Sequence, residues 1–322
     1  MEYQILLNKF LPDVTVFLYK EISSTHKKAK SIIMNNEGKS GLCLIALKQS
    51  DGIGQYNRKW YNSEDSQLSM TLLINLTSQK INKNNNKNEN ILFNEKESII
   101  QDFNKYLWQL SYMTCVSIGE SLILIEKINN SQESIDFCQN YKFILNKLNI
   151  NNNIENVLHI SNNLYYKWVN DIFLGNLKLG GVLHEVVNSI DIIDTWLLVS
   201  IGINIKGMPI ISINKHNNKI TEKLTHASFL AQFGINIDPI NLAYYIIHEW
   251  FKQYKILLRN GFIKIKKSWL KRALFLGEKI FITNELYKES GIFIGIDDYG
   301  RLMIQNDENE IKTIIHGSMY KY

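Results

Sequence analysis

The sequence predicts an α/β fold that is not a parallel doubly wound one, followed by a small C-terminal β-barrel. Three observations predict it. Apolar runs of strand length alternate with segments of helical period up to about residue 271. Two of those runs, LYYKWVNDIFL (164–174) and KLGGVLHEVV (178–187), are joined at Gly175-Asn176, a tight-turn pair. They read as an antiparallel hairpin, so the sheet is not a parallel doubly wound one. After residue 271 the helical period stops, and short strands punctuated by Gly and Asp take over.

The elements follow in order. TVFLYKEI (15–22) reads as a strand. STHKKAKSIIMNN (24–36) opens with a hydroxyl residue suited to an N-cap and then spaces its apolar residues helically. GLCLIALKQS (41–50) and LSMTLLINL (68–76) are near-continuous apolar runs, the pattern of buried strands. FNKYLWQLSYMTCVSIGESLILIEKI (103–128) is apolar on most faces, which predicts a well-buried helix. TWLLVSIGINI (195–205) is a further strand. DPINLAYYIIHEWFKQYKILLRNG (238–261) is a helix with Pro239 in its first turn and Gly261 past its end. GEKIFIT, GIFIGID, GRLMIQ and EIKTIIHG then supply a barrel of four or five strands, with a domain boundary near Lys271: 1–271 and 272–322. Two Asn-rich segments, 78–97 and 129–157, read as insertions, the first too polar to bury a core and the second with room for a short helix.

Composition narrows the function. The chain has 322 residues, is 45% hydrophobic and 21% charged, which excludes global disorder. A net charge of +5 is a weak basic excess and does not point to nucleic acid. Three cysteines, Cys43, Cys115 and Cys138, are too few for a disulfide framework and match no Cys-x-x-Cys pair. They fit a reducing compartment, so the cytoplasm is expected, with a transit peptide removed from a longer precursor left open. No apolar run is long enough to span a membrane.

Five local patterns carry chemistry: SSTH (23–26), KQSDGIGQYNRKW (48–60), KWVND (167–171), KLGGVLHE (178–185) and SIGINI (200–205). Gly52-Ile53-Gly54 is followed by neither a P-loop Gly-Lys-Ser/Thr nor a helix. It is a surface turn, or a loop whose amides approach an anion with Arg58 and Lys59 supplying charge. Lys167 inside a strand is costly unless it faces solvent, pairs with Asp171 or meets a negative ligand. Asn170 and Asp171 end that strand and begin a turn. Gly180-Gly181 and Gly202 sit in strands, where glycine marks close approach by a ligand or another backbone.

Taken in order, these patterns resemble the biotin–protein ligase family. Its pattern holds a Ser-Thr-Asn step, Gly-Arg-Gly-Arg-x-x-Arg-x-Trp, Lys-Trp-Pro-Asn-Asp, Lys-x-x-Gly-hydrophobic-Leu-x-Glu and Gly-Ile-Asn. This chain has Ser24-Thr25-His26, Gly52 to Trp60, Lys167 to Asp171, Lys178 to Glu185 and Gly202-Ile203-Asn204. The resemblance covers most of the chain and looks like the shorter, non-DNA-binding class. It implies a mixed β-sheet with helices packed on it, related to class II aminoacyl-tRNA synthetases, the biotin–lipoate ligase fold, with an SH3-like barrel after it. It also implies ATP and Mg²⁺, biotin, and a biotin carrier domain of a carboxylase such as acetyl-CoA carboxylase. No DNA or membrane partner is implied, no protein metal site is assigned, and a homodimer is left open.

By resemblance, Lys167 bridges the biotin carboxylate and the α-phosphate, with Asp171 and Arg58 as further catalytic candidates. Ser24, Thr25, His26 and Gln49 hydrogen-bond the ureido ring, a neutral group that needs dipoles. Gly52, Ile53, Gly54 and Gln55 form the loop over biotin. Gly180, Gly181 and Val182, with Leu183, let it lie along the sheet. Arg58, Lys59, Trp60, Asn170, Lys178, Gly202, Ile203 and Asn204 are the expected nucleotide contacts.

The departures are chain-specific. Ile53 and Gln55 stand where the family pattern has arginines that help hold the phosphate and the acyl-adenylate; His26 replaces Asn, and Val169 replaces Pro. The loss predicts poor retention of the intermediate unless Arg58, Lys59 or Lys48 compensates. Two readings compete: a lipoate–protein ligase, disfavoured by the polar Ser24, Thr25 and Gln49, and a non-catalytic binding homologue, disfavoured by Lys167.

Overall fold

Every residue of β6 (Gln67–Asn75) is buried, as a strand covered on both faces must be. It lies inside an eight-stranded sheet of order β1-β2-β3-β6-β10-β9-β8-β7. The computed structural model describes residues 3–7, 13–55, 58–60, 66–77, 103–129, 159–189, 194–207, 227–284 and 287–322. The insertion 78–97, all of 129–157 except Asn129, and Cys138 lie outside them.

The other strands of the sheet are β1 (Tyr3–Leu7), β2 (Thr15–Ile22), β3 (Leu42–Gln49), β7 (Leu164–Lys167), β8 (Asp171–Leu174), β9 (Leu177–Asn188) and β10 (Thr195–Asn204). The sheet is mixed. β2 and β3 run parallel, and the remaining neighbours are antiparallel. A parallel pair needs a crossover, and helix α1 (Thr25–Met34) makes it. Ser24 caps α1, accepting from the Lys27 amide as the sequence predicts.

Helices cover both faces. α1 packs with Tyr19, Leu44, Leu73 and Leu198 in one buried cluster. The opposite face carries the larger core, closed by α2 (Phe103–Asn129), α4 (Pro239–Asn260) and α5 (Phe262–Leu270), with a short turn α3 (Ile160–Asn163) between α2 and β7. Asp238 caps α4 by accepting from Ile240 and Asn241, and Gly261, at φ +66°, stops it. Among the described residues no helix is long and apolar enough to cross a membrane.

The structure departs from the sequence reading in four places. LYYKWVNDIFL is two strands: the turn at Trp168–Asn170 folds β8 back on β7, so that Lys167 faces Asp171 across the ladder. Both arms alternate in phase, with Tyr166 opposite Ile172, and the run therefore reads through as one. β1 was not expected. Nor was α5, whose lysines mask the apolar face of Phe262, Ile265 and Trp269. The segment read as a surface turn or loop is a short hairpin, in which β4 (Gly52–Ile53) pairs with β5 (Lys59–Trp60).

The C-terminal strands form a five-stranded antiparallel sheet of order β14-β13-β12-β11-β15: β11 (Lys279–Thr283), β12 (Lys288–Ile296), β13 (Leu302–Gln305), β14 (Ile311–Ile314) and β15 (Ser318–Lys321). Its buried side chains, Ile280, Phe293, Ile304 and Met319 among them, belong to the same apolar cluster as the larger core. Tyr112 of α2 donates to the Gly300 carbonyl at 2.5 Å, and Lys266 of α5 pairs with Asp298 at 2.9 Å. These contacts set β15 against the large sheet, which matters below.

Gly119 tests the packing of α2. A Cβ there would collide with the Tyr166 hydroxyl and come within 2.9 Å of Leu164 Cδ2. Alanine is the better helix former by about 1 kcal/mol, but overpacking a rigid core costs about 1–3 kcal/mol. Gly119→Ala is therefore expected to lower the melting temperature by several degrees in a thermal scan; a higher one would show that Tyr166 can move.

Candidate active site

The ends of β3, β9 and β10, the turn between β7 and β8, the start of α1, the β4–β5 hairpin and β15 converge on one cavity of about 380 Å³. That is large enough for a small organic ligand. The cavity has a polar end, a cationic flank and an aromatic wall.

The polar end is built by α1, β3, β6 and β10. Gln49 Oε1 accepts from the Thr25 amide at 2.7 Å and from the Thr25 hydroxyl at 3.2 Å. Thr71 joins Thr25 at 3.0 Å and Ser200 at 2.8 Å. Ser200 in turn contacts His26 Nδ1 at 2.8 Å, and His26 Nε2 contacts Glu185 Oε2 at 2.6 Å. His26 therefore lies on the cavity wall with both ring nitrogens already engaged. This differs from the expected direct hydrogen bond to a ligand. The cause is strand register: Ser200 and Glu185 lie close together on neighbouring strands β10 and β9, under the first turn of α1.

The cationic flank centres on Lys167. Its ammonium makes no ion pair or hydrogen bond among the described residues; it lies 5.2 Å from the ring centre of Tyr320 and 5.7 Å from that of Phe173. Burial is the main reason its basicity is lowered. Asp171 opposes that shift, and the positive charges of Lys178 and Arg58 add to it. Asp171 is committed elsewhere: its Oδ1 holds Lys178 at 2.6 Å. A Cβ on Gly181 would sit 3.3 Å from that same oxygen and 3.6 Å from Lys178 Nζ, so glycine lets the pair lie flat on the sheet. Arg58 is steadied by a hydrogen bond to Ser318 Oγ of β15 at 3.2 Å.

The aromatic wall is Trp60, lying directly on Gly202, where a Cβ would come within 2.6 Å of the indole. Trp60 Nε1 is buried without a hydrogen-bond partner among the described residues, and Lys178 Nζ lies 5.9 Å from the Trp60 ring centre. Behind it, Asn204 accepts from Gln67 at 2.8 Å and donates to the Ser228 carbonyl at 3.0 Å. Asn170 is fixed similarly, donating to the Val182 carbonyl at 2.5 Å.

Of the residues singled out in the sequence, Ser24, Thr25, His26, Gln49, Ile53, Gly54, Gln55, Arg58, Lys59, Trp60, Lys167, Asn170, Asp171, Lys178, Gly181, Val182, Leu183, Gly202 and Asn204 line this cavity. Gly52, Gly180 and Ile203 do not. A Cβ on Gly52 would meet the Trp60 carbonyl at 2.7 Å, so that glycine serves the hairpin. Gly180 lies against the Gly202 carbonyl and the Ile203 side chain, so it serves the approach of β9 to β10. Ile203 is fully buried in the core. The sequence reading missed Thr71 and Ser200, which are hydroxyls inside apolar strands. It also missed Ser318 and Tyr320, which reach the cavity from the other sheet and carry no local signal.

Comparison with known proteins follows the same outline. Residues 284–322 match the family model for the biotin protein ligase C terminal domain. The bifunctional ligase/repressor BirA of Bacillus subtilis (strain 168) is 23% identical over 299 residues, covering 92% of this chain and 71% of that protein. The biotin–[acetyl-CoA-carboxylase] ligase of Paracoccus denitrificans is 30% identical over 143 residues, covering 44% of this chain and 57% of that protein. Among solved structures, the biotin protein ligase from Aquifex aeolicus in complex with biotin and ATP superposes with a TM-score of 0.62 at 22% identity, covering 95% of this chain and 99% of that one. The biotin protein ligase from Leishmania major with biotinyl-5-AMP gives a TM-score of 0.53 at 15% identity, covering 94% and 98%.

Proposed function

We propose that this chain, a member of the biotin protein ligase family, joins biotin to a lysine of a carboxylase carrier domain through a biotinyl-5′-AMP intermediate. One observation carries the reading. A half-buried ammonium, Lys167, stands without a carboxylate partner among the described residues, flanked by Lys178 and Arg58, next to a neutral hydrogen-bonding recess. Such a charge cluster is unfavourable until an anion enters.

Biotin supplies a neutral ureido head for the recess and a carboxylate for the flank. ATP supplies a second anion. In the first step a carboxylate oxygen bonds to the α-phosphorus and pyrophosphate leaves. Lys167 neutralises the charge that the two anions bring together. In the second step the acceptor amine, having given up a proton, attacks the acyl carbon, and AMP departs. Asp171 anchors Lys178 and presents a negative group to the incoming ammonium. Trp60 covers the nucleotide and its free Nε1 offers a donor; excluding water protects the mixed anhydride from hydrolysis. Among the described residues no three His, Cys, Asp or Glu side chains gather in one place. Mg²⁺ therefore fits as a companion of the ATP phosphates rather than as an ion in a protein cage, where it would screen phosphate charge. The buried free thiols of Cys43 and Cys115 suit a reducing compartment such as the cytoplasm.

Isotope exchange between ATP and pyrophosphate tests the reading. Biotin should stimulate it and lipoate should not, because an apolar dithiolane would displace water from the polar recess lined by Ser24, Thr25 and Gln49 without supplying a hydrogen-bond partner in its place. Exchange driven by lipoate would overturn the assignment. Labelling of a carrier domain, read on an avidin blot, tests the second step. Gly202→Ala should raise the KM for ATP about tenfold, the equivalent of the 1–3 kcal/mol cost of displacing a packed indole, with the KM for biotin little changed.

A further inference from the structure

Lys167 has a long, flexible side chain, and its charge acts only if the ammonium is aimed where the two anions meet. Asp171, opposite it in the β7–β8 ladder, is held by Lys178 at 2.6 Å. Ring faces from two different sheets meet the ammonium instead. Phe173 lies two residues beyond Asp171 on β8, with its ring centre 5.7 Å from the Lys167 nitrogen. Tyr320 comes from β15 of the small sheet, with its ring centre 5.2 Å away.

The structure assigns to Tyr320 the role of a positioning residue, whose ring holds the Lys167 ammonium at the cavity wall before any ligand enters. The ring is itself held. Phe281, its partner in the β11–β15 ladder, stacks on it with centroids 5.1 Å apart and planes 18° apart. Lys288 in turn lies 4.8 Å from the Phe281 ring centre. Met319, between Ser318 and Tyr320, is buried in the core, so the period of the strand turns its two neighbours to the same side. There Ser318 holds Arg58 at 3.2 Å. Alternate residues of one strand thus place two cations of the flank.

A ring suits this task better than a carboxylate. A carboxylate would hold the ammonium harder but would neutralise it, and an incoming anion would have to displace it. A ring face attracts the cation through its quadrupole and leaves the charge uncompensated. Burial still outweighs that attraction, since Lys167 stays less basic than an ordinary lysine. What Lys167 does with its charge rests on the proposed function; where the ammonium is held does not.

Two measurements on the full-length protein test this. In NMR of the ligand-free protein with ¹³C-labelled lysine, the ε-methylene signal of Lys167 is identified by its loss in Lys167→Met. It should lie upfield of the other lysines, as protons over a ring face do. Tyr320→Phe should keep that displacement and Tyr320→Leu should lose most of it; the same signal in both variants would overturn the proposal. In biotin-driven pyrophosphate exchange, Tyr320→Leu should lower kcat/KM about three- to tenfold, the range expected for a partly buried cation–ring contact, and Tyr320→Phe should recover most of it. A Phe variant as slow as the Leu variant would mean that the hydroxyl acts instead of the ring, and would also overturn it. Successively fluorinated phenylalanines at position 320 keep the shape of the ring while draining negative charge from its face. The rate should fall with each fluorine added, and a flat series would overturn the proposal. Should Tyr320→Leu fail to fold, the fluorinated series decides. If biotin drives no exchange in the unmodified protein, the ligase reading fails alone, because the NMR signature needs no ligand.

Discussion

Lys167→Met is expected to cut adenylate synthesis by about 10²–10³-fold, the usual loss when one preorganised charge aimed at a developing anion is removed, and at the same time to make the ligand-free protein more stable. The two effects share a cause. Burial lowers the basicity of Lys167, and Lys178 and Arg58 add to the shift, so the ligand-free fold disfavours the ammonium. The folded lysine thus releases its proton at a lower pH than the unfolded one. Between the two, the unfolded chain binds more protons, and stability rises with pH across that window, which lies below the ordinary lysine value of about 10.4. Methionine has a similar length and no charge, so Lys167→Met should have the higher melting temperature and lack that segment of the pH dependence. Thermal scans of both proteins across an alkaline pH series would show it. A less stable variant would mean that the ammonium has a partner in the free protein.

How much of this was legible beforehand depends on where each signal lives. Lys167, Gly181 and Gly202 were visible as residues out of character with their strands, Lys178 and Trp60 only through the family resemblance, and all five reach the cavity. Periodicity exposed the first three because a strand has only two faces, and a cation or glycine in an apolar run must answer to something off the strand. Gly180 looked the same, and Ile203 was expected by resemblance alone; neither reaches it. Their neighbour is β10 or the core rather than a ligand, and only the register of β9 against β10 separates the cases. Thr71 and Ser200 are single hydroxyls whose meaning comes from facing each other across β6 and β10, opposite each other in the ladder. Ser318 and Tyr320 are more remote. Their strand enters the site because α2 and α5 hold the small sheet in place through Tyr112 and Lys266, a tertiary fact that no window of sequence contains.

Ile53 and Gln55 give the other large expected effect. Both line the cavity at positions where the family pattern carries arginine. A charge-assisted hydrogen bond contributes roughly 1.5–3 kcal/mol, so restoring each arginine should slow escape of the acyl-adenylate by about ten- to a hundredfold. Hydroxylamine, which captures released intermediate as the hydroxamate, reads the rate directly. Arg58 is the natural substitute, since its hydrogen bond to Ser318 steadies it on the cavity wall and its charge is felt at Lys167. Arg58→Ala should therefore speed release, and the gain from Ile53→Arg should be larger in that background than in the unmodified protein, because neighbouring charges on one anion do not contribute independently. The same crowding sets a cost. Adding Ile53→Arg and Gln55→Arg to a site that already holds Lys167, Lys178 and Arg58 should lower the melting temperature of the free protein and restore it when biotin and ATP are present, since a ligand bound only by the folded state stabilises it in proportion to its affinity. If the double variant retained adenylate no better, Arg58 would already be making the contact, and the absent arginines would have been replaced from within the same hairpin.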